Sequence, residues 1–246
     1  MIKNIYVFGA TSNIAEETLK NYAKDGANFY LVGRDIAKLE IVKNDLSSRG
    51  AGNIHSEQCD ALDWDKHELT ITNADNLLGQ IDLVFIAHGT LPDTEAIRNN
   101  QMEVIKEFNI NCTSVISLCT ISSEYFEKKG SGTIAVISSV AGERGRQSNF
   151  IYGAAKGGVT KYLEGLRNRL FEKGIKVITI KPGMVDSPMT KDMPKGLLFA
   201  KSSAVGKQIY KGINAGKDVM FVPGYWKIIM GIIKSIPESI FKKLKL

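Results

Sequence analysis

A chain of 246 residues, 43% hydrophobic and 24% charged, is long enough to bury one sizeable core and needs no second domain. Its three cysteines (Cys59, Cys112, Cys119) form no CxxC or Cys/His cluster, and its three histidines are scattered. That pattern argues against a disulfide framework or a metal site and favours a reducing, cytoplasmic setting. The formal charge is +6, but residues 217–246 hold six lysines against two acids, +4 of that total, among large apolar side chains. Nucleic acid is therefore not the expected partner.

In chain order, the first apolar run, 2–8, reads as a strand and not as a leader segment. The turn Gly9-Ala10-Thr11-Ser12-Asn13-Ile14-Ala15 follows and opens a helix predicted over 13–25. Its glycine permits a tight bend, and the amides, hydroxyls and positive helix end would face a pyrophosphate. A second strand, 28–33, ends at Gly33, where a carboxylate would select an unmodified adenosine ribose; Arg34 follows, and a guanidinium suits a 2′-phosphate by charge and fork geometry. The cofactor expected is thus NADP(H), the alternative for Arg34 being a surface pair with Asp35.

A helix over 36–49 and a strand over 54–59 lead to Asp60-Ala61, where Asp60 either accepts from an adenine amino group or caps the helix of 64–78. Further strands are predicted at 81–87, 132–138, 175–181 and 218–222, and helices at 94–128, 150–173 and 203–215. The stretch from Pro182 to about Ser202 is irregular and suits a substrate lid. Strands alternating with helices in this way predict an α/β chain with a three-layer, doubly wound Rossmann fold: a seven-stranded parallel sheet between two helical layers, within a single domain over 1–224.

The spacing that carries chemistry is Ser139, Tyr152, Lys156. Four residues apart on a helix, the phenol and the ammonium share a face, and a nearby cation favours the phenolate, lowering the tyrosine pKa. Ser139, at a strand end, would orient a substrate oxygen beside the phenol while hydride moves at the adjacent carbon.

Together with the Gly9 turn, Asp60, Gly89, Asn111 and Pro182-Gly183, these residues resemble the short-chain dehydrogenase/reductase family from Ile2 to about Val222. The resemblance implies that Asn111 holds a water linking Lys156 to solvent. It also implies that Lys156 binds the nicotinamide ribose, that Pro182 to Val185 border the nicotinamide, and that Ala87, His88 and Gly89 line the cofactor. Two departures stand out: Ala15 replaces the last glycine of the phosphate turn, and Ile86-Ala87-His88-Gly89 stands where the family has Asn-Asn-Ala-Gly. His88 is expected to pack beside the cofactor, bonded to backbone, in partial compensation.

The segments Gly142 to Phe150 and Ile236 to Leu244 further resemble the decaprenylphosphoryl-2-keto-erythro-pentose reductases, a branch that reduces a keto sugar carried on a polyprenyl phosphate after a flavin oxidase has acted. That implies a lipid-linked keto-sugar substrate and a flavin-dependent oxidase as partner. Residues 225–246 fit such a substrate. Tyr225 to Ile236 is apolar except for Lys227, Gly231, Lys234 and Ser235, and Pro237 then starts a second short helix carrying Lys242, Lys243 and Lys245. This composition suits peripheral contact with an anionic bilayer on the inner face of the cell membrane, or a partner subunit in a homodimer or homotetramer. Two other readings stay open: reduction of a soluble ketone or acyl thioester, and a non-catalytic dinucleotide-binding protein.

Overall fold

The computed structural model describes residues 2–245. Parallel strands need crossover connections, and the chain supplies them as helices. In order these are β1 (Asn4–Phe8), α1 (Asn13–Lys24), β2 (Asn28–Gly33), α2 (Ile36–Ser48), β3 (Ile54–Gln58), α3 (Trp64–Leu78) and β4 (Leu83–Ile86). Next come α4 (Thr94–Ile97), α5 (Gln101–Phe108), a π-helical turn (Asn109–Thr113) and α6 (Ser114–Lys129). The second half holds β5 (Gly132–Ile137), α7 (Phe150–Phe171), β6 (Ile175–Pro182), β7 (Val185–Asp186), β8 (Ala200–Lys201), α8 (Ser202–Asn214), β9 (Val219–Val222), α9 (Trp226–Ser235) and α10 (Glu238–Phe241).

Seven strands form one parallel sheet in the order β3-β2-β1-β4-β5-β6-β9, as expected from the alternation of apolar and amphipathic runs. Strand side chains alternate between faces. Ile5 and Val7 enter the core beneath α1, α2 and α8, whereas Tyr6 and Phe8 enter the one beneath α3, α6 and α7. The strand order reverses between β1 and β4, which opens a crevice at the carboxyl ends of those strands.

Two sequence expectations are corrected. The helix predicted over 94–128 is interrupted: α4 is a single turn, and α5 and α6 are joined through a π turn in which the Ser114 amide donates to the Asn109 carbonyl five residues back. Helical periodicity alone does not reveal one widened turn. The stretch after Pro182 is not irregular throughout, because Val185 and Asp186 pair with Ala200 and Lys201 and pin its base. The departure at Ala15 leaves α1 closely packed all the same. Ala15 is buried, and on another side of α1 Gly206 lets α8 approach closely, since a Cβ there would sit 2.5 Å from the Glu17 backbone.

The C-terminal segment is docked. Trp226 and Met230, four residues apart, are 3% and 1% exposed and pack against Val140. Gly183 admits the indole, since a Cβ at that position would lie 1.9 Å from Trp226 Nε1. Arg144 donates to the carbonyls of Ile233 (2.7 Å) and Ile236 (2.6 Å), pairs with Glu238 and lies 3.7 Å above the Phe241 ring. It thereby adds a short bond to the Ile233 carbonyl, which otherwise accepts only a 3.4 Å bond from the Ile236 amide, and takes up the Ile236 carbonyl just past the helix. The opposite side of α9 carries Ile228 and Ile232, 70% and 62% exposed. No described helix is long and apolar enough to cross a membrane.

Candidate active site

The crevice at the sheet reversal is a cleft of about 380 Å³ lined by residues of the β1, β2, β3 and β4 ends. Gly9 turns at φ +84° with its α-carbon pressed on the His88 backbone, where a Cβ would fall 2.4 Å from the His88 nitrogen. Only glycine meets both demands. Gly9 and Ala10 amides are taken by the Val32 carbonyl, but Ser12 makes no side-chain cap to α1, and the amides of Asn13, Ile14 and Ala15 have no backbone acceptor. Asn13 Oδ1 is buried without a donor. Free amides at a helix start beside a glycine turn form an anion seat, and these residues fit a dinucleotide pyrophosphate.

Thr11, Ser12, Asn13, Ile14, Arg34, Asp60, Ala61, His88 and Gly89 all line this cleft. Arg34 is exposed and makes no ion pair among the described residues; Asp35 instead caps α2 through the Lys38 amide and pairs with Lys38 Nζ at 3.6 Å. Lys38 is a second cation on the cleft wall that sequence reasoning did not single out. Asp60 does not cap α3. Its carboxylate accepts from the Leu62 amide (2.9 Å) in a local turn, and Asp63 precedes the helix instead.

His88 is corrected in one respect: its partner is a side chain. Nε2 lies 2.7 Å from Ser114 Oγ, and that hydroxyl already donates to the Ile110 carbonyl, so the ring nitrogen is the donor and Nδ1 is a buried acceptor without a partner. Burial and then the Lys156 charge push its pKa down to about 3, so the ring is neutral.

On the far side of β4, β5 ends at Ile137 and two residues carry the chain to Ser139, whose hydroxyl accepts from the Ala141 amide at 3.1 Å. Ser138 Oγ donates to the Lys156 carbonyl and meets Thr160 Oγ1 at 2.8 Å, tying this strand end to α7. Gly142 allows the turn to press on α7, since a Cβ there would lie 2.6 Å from the Lys156 carbonyl carbon. Tyr152 and Lys156 share one face of α7, with Lys156 Nζ 5.8 Å from the centre of the Tyr152 ring and donating to the Ile137 carbonyl at 3.2 Å.

The expected depression of the tyrosine pKa is overturned. Burial pushes Tyr152 up to about 12, with the Ser139 hydroxyl pulling weakly the other way, and burial pushes Lys156 down to about 8. Both groups are desolvated together, and loss of water disfavours the charged form of each. The phenol is accordingly protonated at neutral pH, while the amine is still largely cationic.

Asn111 sits in the π turn, 1% exposed, with its flip set by its neighbours. Oδ1 accepts from the Thr90 amide (3.0 Å), and Nδ2 donates to Thr90 Oγ1 (2.9 Å) and the Glu107 carbonyl (3.1 Å). A Cβ at Gly89 would lie 2.8 Å from Asn111 Oδ1 and 3.3 Å from Lys156 Nζ, so these polar groups converge on a space beside a residue without a side chain. Thr90 and Glu107, which hold Asn111, were not legible as site residues, because their contact depends on the widened turn. Ala87 is anchored by its amide to the Phe8 carbonyl, and Gly183 by its amide to the Val222 carbonyl; Pro182 closes β6, and Val185 is buried in β7.

A family model described as short chain dehydrogenase matches residues 3–197. An oxidoreductase of Streptomyces coelicolor is 28% identical over 245 residues, covering 98% of this chain and 96% of the relative. A 3-oxoacyl-[acyl-carrier-protein] reductase of Bos taurus is 25% identical over 198 residues, covering 80% and 82%. The crystal structure of levodione reductase superposes with a TM-score of 0.82 at 20% identity, covering 93% of this chain and 99% of that one.

Proposed function

The chain belongs to the short-chain dehydrogenase/reductase family and is an oxidoreductase that binds a nicotinamide dinucleotide, and from that premise we propose that it uses NADPH to reduce the ketone of a polyprenyl-phosphate-linked keto sugar. The observation that carries this reading is geometric: Tyr152 and Lys156 share one face of α7, with Lys156 Nζ 5.8 Å from the centre of the Tyr152 ring, and β5 leads into Ser139 beside the end of the cleft. When bound, the reduced nicotinamide supplies the hydride that forms the new C–H bond. Ser139 orients the carbonyl oxygen, Tyr152 transfers its phenolic proton to that oxygen, and the Lys156 ammonium stabilises the phenolate left behind. Asn111, clamped by Thr90 and Glu107, faces the space beside Lys156 through which the proton is replaced.

NADPH is supported by Arg34 and Lys38 on the cleft wall, where no carboxylate follows β2 directly. The lipid-linked sugar is supported by the segments Gly142 to Phe150 and Ile236 to Leu244, and by a docked C-terminal segment with outward Ile228, Ile232 and lysines. A bilayer-peripheral enzyme working after a flavin-dependent oxidase follows from this reading. The bovine relative favours a second reading, a soluble ketone or acyl thioester, with α9 and α10 serving an oligomer interface.

The test is to incubate the protein with NADPH, a flavin oxidase and polyprenylphosphoryl ribose, with acetoacetyl-CoA as the competing substrate. The arabinose epimer is expected from the first mixture and no NADPH oxidation from the second. Tyr152→Phe should abolish turnover while NADPH binding stays nearly intact; undiminished ketone reduction by that variant would sink the mechanism.

A further inference from the structure

Ser139 stands at the head of a short turn, and its hydroxyl lies within reach of the Tyr152 phenol, whose pKa it pulls down against burial. The turn, Val140–Glu143, is a single 3₁₀ turn in which the Gly142 amide donates to the Ser139 carbonyl at 3.2 Å and the Ala141 amide to the Ser139 hydroxyl at 3.1 Å. Short turns of this kind have poor hydrogen-bond geometry, so what packs on them decides where they sit. One support is α7, where Gly142 meets the Lys156 backbone. The second is the C-terminal segment, which lies beyond residues 3–197 of the family match.

That segment grips the turn at three residues. Val140, next to Ser139, packs with Trp226 and Met230. Glu143 bridges Lys181 of β6 and Lys234 of α9, and Arg144 holds the Ile233 and Ile236 carbonyls while stacking on Phe241. Trp226 also presses on Gly183, so one indole joins the residue after Ser139 to the residue after Pro182. Its N–H is buried without an acceptor, so the ring is held there by shape and not by a hydrogen bond. Transfer of hydride and proton needs the ketone aligned with both donors, and a displacement of about 1 Å costs roughly 10²-fold in rate.

We propose that Trp226 and Arg144 are positioning residues for the reduction: they clamp the turn after Ser139, so that the serine hydroxyl keeps its place beside the Tyr152 phenol. The inference rests on the carbonyl-reductase reading for what Ser139 does, and it is independent of which ketone is reduced. The two residues act differently. At Trp226 the volume of the ring against Val140 and Gly183 matters and the N–H does not. At Arg144 the donors matter, because two carbonyls and Glu238 take them. A segment that only added stability would lower the folded fraction without changing turnover by the molecules that stay folded.

The experiment compares the full chain with its Trp226→Phe, Trp226→Ala and Arg144→Met variants, at a temperature where circular dichroism shows each to be folded. The ketone is either the product of the flavin oxidase on polyprenylphosphoryl ribose or acetoacetyl-CoA, whichever the wild type reduces. Trp226→Ala and Arg144→Met are expected to lower kcat about tenfold or more while the KM for NADPH stays within about threefold. Trp226→Phe, which keeps a ring in place, should hold kcat within about threefold of the wild type. Amide hydrogen exchange with NADPH bound should quicken about tenfold or more over residues 139–146 in the two impaired variants and stay unchanged over residues 9–15. Arg144→Met carries the test if the alanine variant does not fold. An unchanged kcat in the folded variants, unchanged exchange over 139–146, or exchange quickened equally along the chain overturns the proposal. Exchange needs no ketone, so a wild type that reduces neither ketone fails the reductase reading, while the exchange result still decides whether the clamp holds the turn.

Discussion

Replacing Glu143 with glutamine is predicted to destabilise the fold by about 3 kcal/mol, because it strands a buried ammonium. Glu143 follows the Ser139 turn with a side chain only 6% exposed, and it bridges Lys181 of β6, 7% exposed, and Lys234 of α9, 54% exposed. The two pairs differ in weight. The Lys234 contact is half in water and contributes under about 1 kcal/mol. Lys181 pairs with no other carboxylate among the described residues, and removing one partner of a buried pair costs roughly 3–5 kcal/mol; the amide oxygen of glutamine still accepts from the ammonium, which places the cost near the lower end. Urea unfolding followed by circular dichroism at fixed protein concentration should show the midpoint falling by about 1 M with an unchanged slope. Burial pushes the Glu143 carboxyl up, but the hydrogen bonds from Lys181 and Lys234 together outweigh it and leave its pKa below the usual value. Its stabilisation is therefore present above the unfolded pKa and lost as pH falls through the lowered folded value, so the gap between variant and wild type should close in acid. A loss below about 1 kcal/mol would refute the argument. So would a Glu143→Gln/Lys181→Met double variant no more stable than Glu143→Gln alone, since removing both charges should recover most of the loss.

Three further outcomes are expected. Turnover should decline as pH rises through about 8, where Lys156 gives up its proton; the same depressed pKa means that the cost of burying the charge is present below about 8 and relieved as pH rises from there to 10.5. A rate flat to pH 10 would remove Lys156 from the charge balance. Arg34→Ala should raise the dissociation constant of NADPH about tenfold or more while leaving NADH nearly unchanged, measured by fluorescence titration, since only the phosphorylated cofactor meets the lost fork; equal losses would refute the 2′-phosphate role. Flotation with anionic vesicles should retain the wild type and lose an Ile228→Ser/Ile232→Ser variant. Cutting the chain at Gly224 is a poorer test, because it also removes the buried Trp226 and Met230. Flotation of both proteins alike would argue for another use of that face.

Much of the molecule was legible in its residues because local patterns and global topology agree. Apolar runs of strand length separated by amphipathic stretches leave few arrangements other than a parallel sheet between helices, and Gly9, Tyr152 and Lys156 stand at positions where their residue type announces their use. Asn111 was legible as a residue but not as a geometry: the π turn that aims it and the Thr90–Glu107 clamp that sets its flip depend on contacts across 17 to 21 residues of chain. Asp60 and His88 illustrate a similar limit. Each could find several partners within reach, and only the packed neighbourhood selected the Leu62 amide for one and the Ser114 hydroxyl for the other.

The sequence by itself determined the fold class and the placing of Gly9 at the phosphate turn and of Tyr152 and Lys156 on one helix face, because these follow from periodicity, from backbone freedom at one glycine and from i,i+4 spacing on a helix. Tertiary structure decided the charge states. Spacing predicted a lowered phenol pKa, yet burial of Tyr152 and Lys156 together raised one and lowered the other. It also decided which face of the C-terminal helix is core and which is free. Desolvation and the supply of partners are properties of a packed environment, and that environment exists only once distant segments have come together.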